Sequence, residues 1–324
     1  MKFMHNILFL WVISHAFAAN AIAAELPRIG LLSLGTNPID ANAPQWSQLL
    51  ASLRLLGWID GKTARFDARH AAGSVERLDQ LAQELTRERP AVVFTSGNAE
   101  AAAMHKATQS VPVVMIHTTD PVERGYAKSM RRSGGNMTGL SGRAAGMIGK
   151  QIELLREGAP RIRRIAIIFG THQPPDALRE AEEVTAKLGI ALVRVTPGKP
   201  DEFAAMFARL AREGVSAYLA PIDGLTFPHR AQFCAAANKA RMPGIGESGE
   251  YAEAGCFLAY GANLGALARR AAAIGDKILR GANPAELPIE QPTHFDLVIN
   301  GKTARELGLT IPATLLIRAN KVTE

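Results

Sequence analysis

The feature that most constrains this 324-residue chain is the regular alternation of short apolar runs with long helical stretches. Residues 28–34 are a short apolar run ending in Ser33-Leu34-Gly35-Thr36. A helical stretch follows, with Trp46, Leu49, Leu50, Leu53 and Leu56 at helical spacing. Gly57 stops it and Asp60-Gly61 turns the chain. Residues 63–68 alternate like a strand, and 75–89 place Leu78, Leu81 and Leu85 on one helical face. A buried strand at 91–94 opens into Ser96-Gly97-Asn98, ahead of a helix at 99–108. A strand at 111–116 opens into His117-Thr118-Thr119-Asp120. The order then repeats, with strands at 165–169, 190–195, 215–220, 256–260 and 295–299. Its helices fall at 176–188, 203–212, 228–241 and 264–279, with a short one near 303–307. Such alternation builds βαβ units, which bury parallel sheets under helices on both faces. Two blocks divided near Gly139–Gly142 predict two α/β lobes.

Polar residues gather where the predicted strands end. Open α/β sheets bind ligands outside the carboxyl ends of their strands, and a cleft between two lobes favours small molecules. The candidate ligand-binding residues are therefore Ser33, Gly35 and Thr36, then Ser96, Gly97 and Asn98, then His117, Thr118, Thr119 and Asp120, with Asp223 in the second block. Ser248, beside Gly246 and Gly249, completes the set. A hydroxyl and free amides at a helix start favour an anion such as a carboxylate. Thr118-Thr119-Asp120 repeats that arrangement, with Pro121 at the expected first helical position. A carboxylate at Asp223 would take a ligand ammonium group. Each of these residue types also serves as an N-cap or turn former, and for any one taken alone that is the stronger reading.

Other chemistry finds little support. The cluster Gly134-Gly135-Asn136-Met137-Thr138-Gly139 lacks the Lys-Ser/Thr ending of a phosphate loop and reads as a turn. Ser141 and Ser248 make no nucleophile elbow. The eight histidines form no metal-binding spacing, so neither a metal nor a cofactor is expected. The formal charge of +7 is spread thinly, and no basic helix carries interleaved aromatics, which argues against nucleic acid. The two cysteines, Cys234 and Cys256, could pair in an oxidising compartment. They could equally be small buried apolar residues, and their apolar surroundings fit that role better.

The first 24 residues have the three-part form of a secretory signal peptide. Lys2 precedes an apolar run from Ile7 to Phe17, and Ala21-Ile22-Ala23-Ala24 leads to the first acid, Glu25. The run is too short to span a bilayer comfortably, and no cysteine follows it for a lipid anchor. An exported, periplasmic protein with its mature N-terminus at Ala24 or Glu25 is expected.

Several runs carry a family resemblance. They are Leu55-Leu56-Gly57-Trp58-Ile59-Asp60-Gly61, Asp120-Pro121-Val122, the glycine cluster ending at Gly139 and Pro288-Ile289-Glu290-Gln291-Pro292-Thr293. Val298-Ile299-Asn300, Lys302-Thr303-Ala304 and Leu307-Gly308-Leu309-Thr310-Ile311-Pro312 extend them. Together they resemble the ABC transporter substrate-binding family that includes tryptophan- and tyrosine-binding proteins, over essentially the whole mature chain. The resemblance implies a type I periplasmic binding protein, a Venus flytrap of two Rossmann-like lobes joined by a three-crossover hinge. It implies a monomer delivering a small molecule to an ABC permease in the inner membrane, without catalysis. Residues 25–140 with about 262–290 would form the N-terminal lobe, and 141–261 with about 291–324 the other. By the same resemblance, Ser96 and the Thr118-Thr119 loop would hold a ligand carboxylate and Asp223 its amine. Asn98, His117 and Gly224 depart from the common pattern where specificity is set, so the ligand is bounded only as an amino acid or aromatic acid. The same fold would also serve a sensor or chemoreceptor, and a periplasmic enzyme would need an activated nucleophile beside a base.

Overall fold

A computed structural model describes residues 25–35, 37–39, 44–142, 146–169 and 175–324. The expected signal segment and Thr36 lie outside the described residues. The apolar runs become strands β1 (Arg28–Ser33), β2 (Arg65–His70), β3 (Val92–Thr95), β4 (Val113–Thr118), β5 (Met137–Ser141), β6 (Arg164–Ile168) and β7 (Ala191–Val195). They continue with β8 (Ala217–Ala220), β9 (Gly244–Gly246), β10 (Leu258–Ala262), β11 (Ile289–Glu290), β12 (Phe295–Asn300) and β13 (Lys321–Thr323).

The strands divide between two sheets. One has the order β11-β5-β4-β3-β1-β2, and the other β13-β12-β10-β9-β8-β6-β7. Among the described residues, every strand pairing is parallel except β10 with β12. Central strands β3 and β4 are buried throughout, as expected of parallel strands covered on both faces. The chain passes from the first sheet to the second between Ser141 and the helix Met147–Gly158. It returns between β10 and the helix Leu264–Leu279, which packs on the helix Pro44–Leu55. It crosses a third time between Glu290 and Phe295. The fold is a two-lobed type I periplasmic binding protein fold with a three-crossover hinge.

Local chemistry fixes the element ends. The Ser74 hydroxyl accepts from Arg77 N and caps the helix Val75–Arg87, whose buried face is Leu78, Ala82 and Leu85. Asn263 and Asn300 cap their helices in the same way, through Ala266 N and Thr303 N. Trp46 is fully buried in the first lobe, while Trp58 Nε1 donates to Asp276 at 2.9 Å and ties two segments far apart in sequence.

Two expectations are corrected. The glycine cluster is not simply a turn, because Met137–Ser141 forms β5, paired to β4 on one side and β11 on the other. It is short, carries Gly139 at its centre and has partners outside any local periodic window, so pattern alone hides it. The cysteines are not separate apolar residues: Cys234 and Cys256 form a disulfide with Cα atoms 4.8 Å apart. It joins the helix Arg230–Lys239 to the lead-in of β10, among the edge-packed rings of Phe203, Phe207, Tyr218, Phe233 and Tyr251. Tyr218 donates its hydroxyl to Cys256 Sγ at 3.0 Å.

Candidate functional site

The carboxyl ends of strands from both sheets line one cleft of about 810 Å³. The first lobe supplies the segments after β1, β2 and β3 and His117 near the end of β4, and the second supplies the segments after β7 and β8. The lobes touch among the lining residues. A Cβ on Gly224 would lie 2.3 Å from Leu34 Cδ2, so this close approach requires glycine. Gly35 packs against the ring of Pro228 in the same region.

On the first lobe, Ser33, Gly35, Ser96, Gly97, Asn98 and His117 all line the cleft. The Ser96 hydroxyl donates to Glu100 Oε1 at 2.6 Å, and Leu34 N donates to the same oxygen at 2.8 Å. Asn98 is bonded outward from its helix start to the next loop: Thr119 N donates to its Oδ1 at 2.9 Å, and its Nδ2 donates to Thr119 Oγ1 at 3.0 Å. The imidazole of His117 packs against the backbone of Gly142.

On the second lobe, Asp223 lines the cleft and organises its own turn. Its Oδ1 accepts from Leu225 N at 2.7 Å and Thr226 N at 2.9 Å, and its Oδ2 accepts from Thr226 Oγ1 at 2.5 Å. Thr226 Oγ1 also bonds the buried Tyr251 hydroxyl at 2.8 Å. Burial first, and then the charge of Asp223, hold the Tyr251 phenol well above its usual range. Buried Glu247 supports the same loop by accepting from Ile222 N at 2.8 Å. Arg230 stands at the start of the next helix with its guanidinium 5.0 Å from the Phe227 ring centroid. One of its N–H groups donates to Phe227 O at 3.1 Å.

The structure does not bring all the sequence candidates together. Thr118, Thr119 and Asp120 lie behind the lining, with Thr119 tied to Asn98 and Asp120 at a positive φ of 51° in the turn. Ser248 is fully buried at the start of the short helix Gly249–Glu253, away from the cleft. Glu100 and Arg230 line the cleft and were missed. Glu100 is an acid in the first turn of a helix, where acids usually serve the helix itself. Arg230 follows Phe227-Pro228-His229, with nothing local to mark its direction. Among the described residues, no group of three His, Cys, Asp or Glu could hold a metal, and no helix is long and apolar enough to cross a membrane.

Comparison with known proteins agrees with this architecture. A tyrosine-binding protein of Clostridioides difficile is 22% identical over 255 residues, which is 78% of this chain and 73% of its own length. The solved structure of a conserved domain protein from Vibrio cholerae matches with a TM-score of 0.85 at 27% identity, covering 92% of this chain and 100% of its own. An ABC domain from Streptococcus pneumoniae in complex with L-Trp matches with a TM-score of 0.83 at 22% identity, covering 92% of this chain and 99% of its own. The model of the family described as ABC transporter substrate binding protein matches residues 40–323. That match takes in strands of both sheets and every segment lining the cleft except the one after β1, and the chain belongs to the ABC transporter substrate-binding protein family.

Proposed function

We propose that this protein is the periplasmic solute-binding component of an ABC importer, capturing a small carboxylate-bearing ligand in the cleft. The observation that carries the reading is a single cleft lined by strand ends of both sheets, with polar groups from each. The relatives bound to or named for tyrosine and tryptophan support an amino acid or aromatic acid as the ligand class. Ser33, Gly35, Ser96, Gly97, Asn98, His117 and Asp223 are the sequence candidates that would contact it or shape its site. The lobes would be 25–140 with about 262–290, and 141–261 with about 291–324, closing about the three crossings. An ABC permease of the inner membrane would receive the ligand, after export directed by the N-terminal segment. The role proposed is binding and delivery, not catalysis.

A thermal-shift screen tests this reading with L-tyrosine, L-tryptophan, aromatic acids and nucleosides. A ligand that binds only the folded state at a hundred times its Kd stabilises that state by about 2.7 kcal/mol. We expect aromatic amino acids or aromatic acids to raise Tm and nucleosides to leave it unchanged. A rise with nucleosides alone would overturn the ligand class.

A further inference from the structure

We infer that the cleft takes a dipolar ligand with its ammonium group on the first lobe, at Glu100, and its carboxylate on the second lobe, at Arg230. The inference rests on the binding role proposed above and narrows its ligand to an amino acid held opposite to the orientation the family resemblance implies. Glu100 is only 5% exposed yet lines the cleft. Its Oε1 is occupied by Leu34 N and Ser96 Oγ, while Oε2 accepts no hydrogen bond and makes no ion pair among the described residues. The side chain lines the cleft with that oxygen uncommitted, and a bound ammonium would supply a donor and the opposite charge.

The same contacts remove the first lobe as a carboxylate site. The Ser96 hydroxyl, which would serve an incoming anion, is already donating to Glu100. A ligand carboxylate beside Glu100 would face a like charge at short range. Asp223, the acid expected to take the amine, already accepts from two backbone amides and the Thr226 hydroxyl.

The second lobe supplies the opposite charge. Arg230 is half-buried, lines the cleft and forms no ion pair among the described residues, and its guanidinium is steadied over Phe227. Only one of its donors is committed, to Phe227 O, leaving donors in the planar arrangement that matches a carboxylate. Lys199 adds an exposed positive charge on that side of the cleft, and Glu76 an exposed negative charge on the other. A ligand spanning the two would link the lobes through charge-assisted bonds at each end.

Calorimetric titration of the full mature chain tests the assignment with three matched probes. They are L-tyrosine, 3-(4-hydroxyphenyl)propanoate, which lacks the ammonium, and tyramine, which lacks the carboxylate. The corresponding tryptophan series is run beside them. Wild type should bind the amino acid about ten- to a hundredfold more tightly than either truncated probe. Glu100→Gln should weaken the amino acid and the amine by a similar factor while sparing the acid. Arg230→Gln should weaken the amino acid and the acid while sparing the amine. Melting curves check folding, and Arg230→Lys should recover part of the loss. If Asp223→Asn, not Glu100→Gln, selectively loses the amine-bearing probes, the orientation is overturned. If wild type binds an acid as well as its amino acid, the ammonium site is overturned while the binding role stands. If wild type binds no member of either series, the amino-acid reading itself fails and the inference with it.

Discussion

Asp223 is where a single side chain carries two possible duties. It borders the cleft, yet its carboxylate accepts two backbone amides and a threonine hydroxyl of its own turn. Asp223→Ala would leave those donors without their acceptor, which costs about 1–3 kcal/mol for a buried group. We expect a clear fall in Tm with little change in affinity for L-tyrosine. Asp223→Asn should lose less, because its amide oxygen can still accept from Leu225 N and Thr226 N. Calorimetric titration beside melting curves separates the two duties, and a large loss of affinity at unchanged Tm would return Asp223 to direct contact with the ligand.

At the level of elements, the disulfide fastens the helix Arg230–Lys239 to the entry of β10 across 22 residues of chain. Both cysteines are fully buried, and neither lines the cleft. Closing a loop of this size restricts the unfolded chain, a stabilisation of about 2–4 kcal/mol. Replacing Cys234 and Cys256 together by Ala should lower urea-unfolding stability by that amount while ligand affinity is retained. An affinity loss without a stability loss would mean that the bond positions Arg230 more than it stabilises the lobe. The loop after β8 is held differently: its Ile222 amide bonds Glu247, and its Asp223–Thr226 turn reaches Tyr251, so residues just beyond β9 set the shape of one cleft wall.

For the whole molecule, the decisive contacts are those between lobes. Leu34 packs into the space left by Gly224, and Gly35 against Pro228. Ligand that touches both lobes favours the state in which they meet, so saturation should shift the population toward closure. Small-angle scattering should then show a smaller radius of gyration with L-tyrosine bound. Gly224→Val would place side-chain atoms where Leu34 now sits and should hold the lobes apart. We expect the variant to show a larger radius of gyration at saturation and weaker binding at near-normal Tm. An unchanged scattering profile in both proteins would argue against closure.

Much of the architecture was legible in the chain because its signals are local. The apolar runs at β3, β4, β6 and β8 and the face of Leu78, Leu81 and Leu85 follow from periodicity, and the parallel sheets follow from their alternation. Strand ends also directed attention to Ser33, Ser96, His117 and Asp223, all of which reach the cleft. The family resemblance added the hinge and the class of protein, which periodicity does not encode. Strands β5, β9, β11 and β13 escaped notice because they are short or glycine-rich and gain their hydrogen bonds from distant neighbours. The disulfide likewise depends on a 4.8 Å approach of Cα atoms that spacing along the chain cannot specify. The separation of Ser248 from the cleft, the commitment of Ser96 to Glu100 and the exposure of Arg230 to the cleft are products of three-dimensional neighbours. Sequence by itself determined where the longer helices and the apolar strands lie and which residue types stand at their ends, since those choices are made by nearby side chains. Tertiary structure alone decided which of those polar groups were already satisfied and which still faced open space, because a hydrogen-bond partner is chosen by proximity in space.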